Sequence, residues 1–162
     1  MEKLLGIGHG KTRAIVTNEA GVVRSDWTFE PRTPNLPRGN GETILVVDDE
    51  ISILSITSQT LQAFGYNVVT ASDGADALAV YVQHQGEIAL VLTDMMMPVM
   101  DGATTIQSLL RINPRAKIIA ASGLTANGGA VKESTRAIKH FLTKPYTAET
   151  LLTTIRAILD EG

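Results

Sequence analysis

Asp48, Asp49, Asp94, Ser122 and Lys144 are the residues of this chain whose types and spacing allow chemistry at one centre. Three carboxylates brought together concentrate negative charge, which raises their pKa values or drives repulsion unless a cation binds between them. The donors are hard oxygens, and no His or Cys stands beside them. Such a set suits Mg2+ or Mn2+, which retains several waters and accepts phosphate oxygens. A carboxylate held beside that ion is a competent nucleophile toward phosphorus, so Asp94 can form an aspartyl-phosphate. Phosphoryl transfer asks mainly for positioning and charge neutralisation, for which Lys144 offers a cation and Ser122 a hydroxyl. Taken singly, each residue has a plainer use: an Asp at a strand end caps the next helix, and a Lys-Pro pair marks a turn. The combination is what points to phosphoryl chemistry.

To work together, these groups must be carried to one edge of a sheet. Each follows a short apolar run rich in β-branched residues, at 44–47, 89–93, 117–121 and 138–143, as buried parallel strands do. Between them lie helical patterns, so β and α alternate at roughly 22 to 28 residues per unit, about the length of a βαβ step. The pattern predicts strands at 43–47, 67–71, 89–93, 117–121 and 138–143. It predicts helices at 51–64, 74–84, 102–111, 128–136 and 147–160. Ser72 or Asp73, Asp101 and Thr147 stand where three of these helices need caps, and Gly65 and Gly86 where two should stop. Asn127, Gly128 and Gly129 each weaken the fourth helix, which makes that segment the expected mobile part. The fold class is α/β, a doubly wound five-stranded parallel sheet with flavodoxin-like order 2-1-3-4-5 and helices on both faces. In such a sheet ligands gather outside the carboxyl ends of the strands, where three carboxylates, a hydroxyl and an ammonium would converge.

With 162 residues, 44% hydrophobic and 19% charged, the chain is long enough for one domain with a substantial core and some extra sequence. A formal charge of −3 argues against a broad phosphate-backbone surface, so nucleic acid is not an expected partner. The absence of cysteine excludes disulfides and thiolate metal sites and fits a reducing, cytoplasmic compartment. The first ten residues read as neither signal peptide nor membrane span, so no membrane contact is expected of this chain, although a parent protein with an anchor elsewhere is compatible with it. Residues 31–41 hold three prolines and two glycines, a linker composition. The expected organisation is an N-terminal extension at 1–36, a linker at 37–41 and the α/β domain at 42–162.

Four stretches carry a family resemblance: Ile44-Leu-Val-Val-Asp-Asp-Glu50, Leu92-Thr-Asp-Met-Met-Met-Pro-Val-Met-Asp-Gly102, Ile118-Ile-Ala-Ala-Ser122 and Lys144-Pro145. Together, over about residues 42–160, they resemble the receiver domain of bacterial two-component signalling proteins. The resemblance implies that Asp94 is the phosphoacceptor. It also implies that Asp49 binds Mg2+ directly, Asp48 acts through water and the Met96 backbone carbonyl completes the protein ligands. Ser122 would be the switch hydroxyl, Phe141 the switch aromatic, and Lys144 the partner of a phosphoryl oxygen. A cis Lys144-Pro145 bond is expected with it. The resemblance also implies that Leu124 and Met96, both apolar, stand at positions that tune water access to the phosphoryl group. Docking partners would be a histidine kinase dimerisation and phosphotransfer domain or a histidine phosphotransfer protein. Ile53 and Ile56, off the sheet-facing arc of the first helix, are the expected docking residues.

The front segment invites two readings. Gly6 to Thr12 fails the P-loop spacing, because Leu5 stands where a glycine is required. The run Gly6-x-Gly-x-Gly10, then Ala14-Ile-Val16 and Ala20-Gly-Val-Val-Arg24, looks like the last part of a histidine kinase ATP-binding domain, too short to rebuild an ATP site; a hairpin or disordered extension is the competing reading. The last helical pattern ends near Leu159 with no output domain behind it, so the expected context is the C-terminal receiver of a hybrid sensor histidine kinase. On that reading the chain is a phosphoacceptor with self-phosphorylation and autodephosphorylation chemistry, and its parent polypeptide is the kinase. A stand-alone response regulator is the nearest alternative. An aspartate-nucleophile phosphatase is the alternative of another class, though it would need its Asp-x-Asp after the first strand, and here Met96 follows Asp94 by two. A pyrophosphate-binding cofactor site is disfavoured by the charge of Asp48-Asp49-Glu50.

Overall fold

The computed structural model describes residues 35–97, 100–123 and 140–161 in full, and the backbone of three strands ahead of them. The chain divides into two units, Met1–Leu36 and Pro37–Gly162. In the first, β1 (Leu5–Ile7), β2 (Lys11–Thr17) and β3 (Val23–Phe29) form an antiparallel sheet in chain order. The β2–β3 register runs from Lys11 opposite Phe29 to Thr17 opposite Val23.

The described elements of the second unit are β4 (Thr43–Val47), α1 (Ile51–Ala63), β5 (Asn67–Ala71), α2 (Gly74–Gln83), β6 (Ile88–Asp94), α3 (Gly102–Ile112), β7 (Ile118–Ser122), β8 (His140–Thr143) and α4 (Ala148–Leu159). Its five strands are all parallel, in the order β5-β4-β6-β7-β8. Numbered within the sheet this is 2-1-3-4-5, as the sequence pattern implies. The expected helix at 128–136, its mobility, Leu124 and the start of the expected strand at 138 lie outside the described residues.

Local chemistry accounts for the element ends. Asp73, Asp101 and Thr147 accept hydrogen bonds from the backbone N–H groups of Asp76 (2.7 Å), Thr104 (2.8 Å) and Thr150 (3.1 Å), so each caps the helix it precedes. α1 differs, for its N-cap Glu50 makes no side-chain capping bond. Gly65 ends α1 with φ +91°, and a Cβ there would stand 2.6 Å from the Gly39 carbonyl oxygen, so glycine is required twice over. Residues 37–41 lie along that helix end: the Gly39 N–H donates to Phe64 O at 2.7 Å and the Gly41 N–H to Gly65 O at 2.9 Å. The next residue, Glu42, pairs with Arg156 of α4 at 2.8 Å.

Strand alternation divides the core between two layers. Leu45, Val47, Val91 and Ala120 pack with Ala77, Tyr81, Ile106 and Leu109 of α2 and α3. Ile44, Val46, Leu90, Leu92 and Ile119 are buried on the other face, where α1 and α4 bury Leu61, Leu151, Leu152 and Ile155. With helices on both faces, the carboxyl ends of the strands are the open edge of the sheet. Among the described residues, no helix is long and apolar enough to cross a membrane.

Candidate functional site

Asp48 follows β4 directly, and its N–H donates to Ala71 O at 3.2 Å, carrying the ladder one residue past the strand. Asp94 is the last residue of β6, and the next N–H, of Met95, donates to Ala121 O at 2.9 Å. Lys144 follows β8, its N–H bonded to Ser122 O at 2.9 Å. Strand pairing thus fixes the backbone of these groups to within a hydrogen bond before any side chain is considered. One oxygen from each of Asp48, Asp49 and Asp94 lies within 4.8 Å of the others.

Asp48 and Asp94 are 3% and 5% exposed, whereas Asp49 faces solvent. Asp48 Oδ1 accepts from the Glu50 N–H at 2.9 Å, and its Oδ2 accepts from Lys144 Nζ at 2.7 Å. Asp94 Oδ1 accepts from the Met96 N–H at 3.2 Å and stands 3.4 Å from Lys144 Nζ. Burial pushes the Asp94 carboxyl above its ordinary range, and neighbouring Asp48 adds to this, while the Met96 N–H and the Lys144 ammonium only partly offset it. Burial alone would draw Lys144 down, yet its hydrogen bond to Asp48 and the charge of Asp94 hold it above its ordinary value. One ammonium, in contact with Asp48 and Asp94, thus stands against a cluster of three carboxylates. That deficit and an all-oxygen donor set fit a hard divalent cation.

The approach of α3 to the site is equally constrained. A Cβ on Gly102 would lie 2.5 Å from Met95 Cα and 2.6 Å from Asp94 O, and the Gly102 N–H donates to Met95 O at 3.2 Å. Only glycine lets the helix start pass against the backbone that carries Asp94. Gly102 closes the Leu92–Gly102 stretch and follows the cap Asp101, but a linear pattern shows no close approach of helix start and strand backbone.

The remaining expected residues lie around this centre. Ser122 ends β7 and is half-buried; Phe141, in β8 opposite Ala120, is partly exposed; Met96 is 62% exposed. The Lys144-Pro145 bond is cis, as expected. Ile53 is half-buried and Ile56 is 65% exposed. Both line a groove of about 390 Å3 that runs past Thr57 to Lys144, Pro145 and Tyr146. Thr57 and Tyr146 had no part in the sequence reading, because nothing in a linear pattern shows two hydroxyls 89 positions apart meeting at 3.1 Å.

Residues 44–156 match the response regulator receiver domain family. The sensor kinase CckA of Brucella abortus is 34% identical over 119 residues, 74% of this chain. The chemotaxis protein CheY of Treponema pallidum is 31% identical over 135 residues, 82% of this chain. The chain spans 13% of the sensor kinase's length and 94% of the chemotaxis protein's. Among solved structures, a receiver domain protein of Clostridium thermocellum superposes with a TM-score of 0.68 at 30% identity, over 73% of this chain and 94% of that one. A CheY of Borrelia burgdorferi, in complex with CheX, BeF3 and Mg2+, gives 0.68 at 28% identity, over 74% and 90%. Family match, parallel sheet order and acidic centre agree, and the chain belongs to the response regulator receiver domains of two-component signalling.

Proposed function

We propose that Asp94 accepts a phosphoryl group from a phosphohistidine. The observation that carries this reading is the convergence of the Asp48, Asp49 and Asp94 oxygens within 4.8 Å, with Lys144 bridging two of them. An Asp94 carboxylate oxygen attacks phosphorus; the new O–P bond forms as the P–N bond breaks, and its electron pair returns to the imidazole, which gains a proton from solvent. Asp49, Asp94 and the Met96 backbone carbonyl would hold Mg2+ directly, Mn2+ being a substitute, with Asp48 acting through water. The bound ion would offset negative charge on the carboxylates and the transferring oxygens. Lys144 leaves part of its interaction with Asp48 and Asp94 for a phosphoryl oxygen, and Ser122 offers its hydroxyl to another. Ser122 and Phe141 then act as the switch, the ring gaining burial as it moves inward.

In this reading the donor is a histidine kinase phosphotransfer domain or a histidine phosphotransfer protein, docked on α1 at Ile53 and Ile56. Residues 1–36 are a remnant of a kinase ATP-binding domain joined through 37–41 to the receiver at 42–162. The parent is a hybrid sensor kinase working on the cytoplasmic side, a context supported by the likeness to CckA. The 94% coverage of the Treponema CheY favours a second reading, a stand-alone regulator. Incubation of the full chain with acetyl phosphate and Mg2+, followed by intact mass, tests the chemistry. Wild type should gain one phosphoryl group and Asp94→Asn none; label retained in Asp94→Asn would rule Asp94 out as acceptor.

A further inference from the structure

The loop that carries Lys144 is tied to α1 beside the carboxylates. The Tyr146 hydroxyl lies 3.1 Å from Thr57 Oγ1. Thr57 is buried in the middle of α1, and Tyr146 is half-buried, its hydroxyl pKa pushed up by burial. A hydroxyl pair in such a setting is directional, and removing either partner leaves the other short of a bond. Only Pro145 separates Tyr146 from Lys144, and the following residue, Thr147, caps α4.

The loop is therefore held on two sides of the lysine. Upstream, the Lys144 N–H is bonded to Ser122 O at 2.9 Å. Downstream, the Tyr146 hydroxyl is bonded to the helix. Lysine has a long stem with many rotamers and makes point-charge contacts that impose little geometry of their own. Its ammonium nevertheless serves two carboxylates at different distances, 2.7 Å to Asp48 and 3.4 Å to Asp94. That division depends on where the loop backbone is fixed.

We propose that Tyr146, held by Thr57, is a positioning residue for phosphoryl transfer, fixing the Lys144 loop so that the ammonium stays within reach of both Asp48 and Asp94. The pair acts through Lys144 and touches neither the cation nor the phosphoryl group. The inference rests on the reading of Asp94 as phosphoacceptor.

The test is the labelling rate of the full chain with acetyl phosphate at saturating Mg2+, read by intact mass. Tyr146→Phe and Thr57→Val should each slow labelling by about three- to tenfold, the worth of one hydrogen bond expressed in a rate. Thr57→Ser, which keeps the hydroxyl, should restore the rate. The double variant Thr57→Val/Tyr146→Phe should be no slower than either single one, because both remove the same bond. The Mg2+ concentration giving half the maximal rate should stay within about twofold of wild type, which a general loosening of the fold would not allow. Wild-type rates in Tyr146→Phe, losses that multiply in the double variant, no rescue by Thr57→Ser, or a Mg2+ requirement that rises in step with the rate loss would each overturn the proposal. Should Thr57→Val fail to fold, Tyr146→Phe preserves the ring, and its rate decides. A wild-type chain that takes no label counts against Asp94 as acceptor. A labelled wild type matched by Tyr146→Phe counts against the tether alone.

Discussion

The Lys144 ammonium sits 2.7 Å from Asp48 Oδ2, closer than the 3.4 Å that separates it from Asp94. Its tighter partner is thus the carboxylate of β4 rather than that of β6, and Asp94, the more weakly compensated of the two, is left with the burden of burial.

Lys144→Ala should destabilise the protein in EDTA by about 3 kcal/mol, because it strips the counter-charge from two buried carboxylates. Added Mg2+ should recover more stability in the variant than in wild type. Thermal unfolding with and without Mg2+ measures both; a variant as stable as wild type in EDTA would show that Asp48 and Asp94 do not depend on the lysine.

Asp94→Asn should raise the stability of the metal-free protein. Burial and the neighbouring Asp48 charge penalise the ionised side chain more than Lys144 and the Met96 N–H favour it, and the amide removes that penalty. Urea unfolding in EDTA gives the sign directly.

Asp101 caps α3 through the Thr104 N–H, and this bond holds its carboxyl below the ordinary aspartate value of 3.8. A lowered folded-state pKa means that the stabilisation is present above 3.8 and is lost as the pH falls through the folded value. Asp101→Ala should cost about 1 kcal/mol at neutral pH. The gap to wild type should close on acidification below 3.8, as measured by urea unfolding across pH.

Gly102→Ala should cost about 2 kcal/mol and slow labelling of Asp94, although residue 102 touches no phosphoryl group. The added methyl would have to displace the Met95 and Asp94 backbone, 2.5 and 2.6 Å away. Chemical unfolding together with the acetyl phosphate rate separates this from a plain loss of stability.

Ile56→Asp should reduce transfer from a phosphohistidine protein by about tenfold relative to labelling by acetyl phosphate. Its side chain is 65% exposed on the groove beside Lys144. Equal rate ratios in variant and wild type would place docking elsewhere.

Alternation of apolar runs with amphipathic stretches, together with the caps Asp73, Asp101 and Thr147, determined from sequence alone the parallel α/β class and the element order of the described residues within 43–123 and 140–159. The sheet order and the acidic centre were also legible, because side chains at the ends of parallel strands have one open edge to occupy. What needed the tertiary structure was how the strand ends divide their interactions. That Lys144 favours Asp48 over Asp94, that Gly102 clears the backbone of Asp94, and that Thr57 meets Tyr146 follow from packing between elements far apart in the chain. A period of 2.0 or 3.6 residues tells which face a side chain occupies. It carries no distance between side chains on different elements, and those distances set the electrostatics of this site.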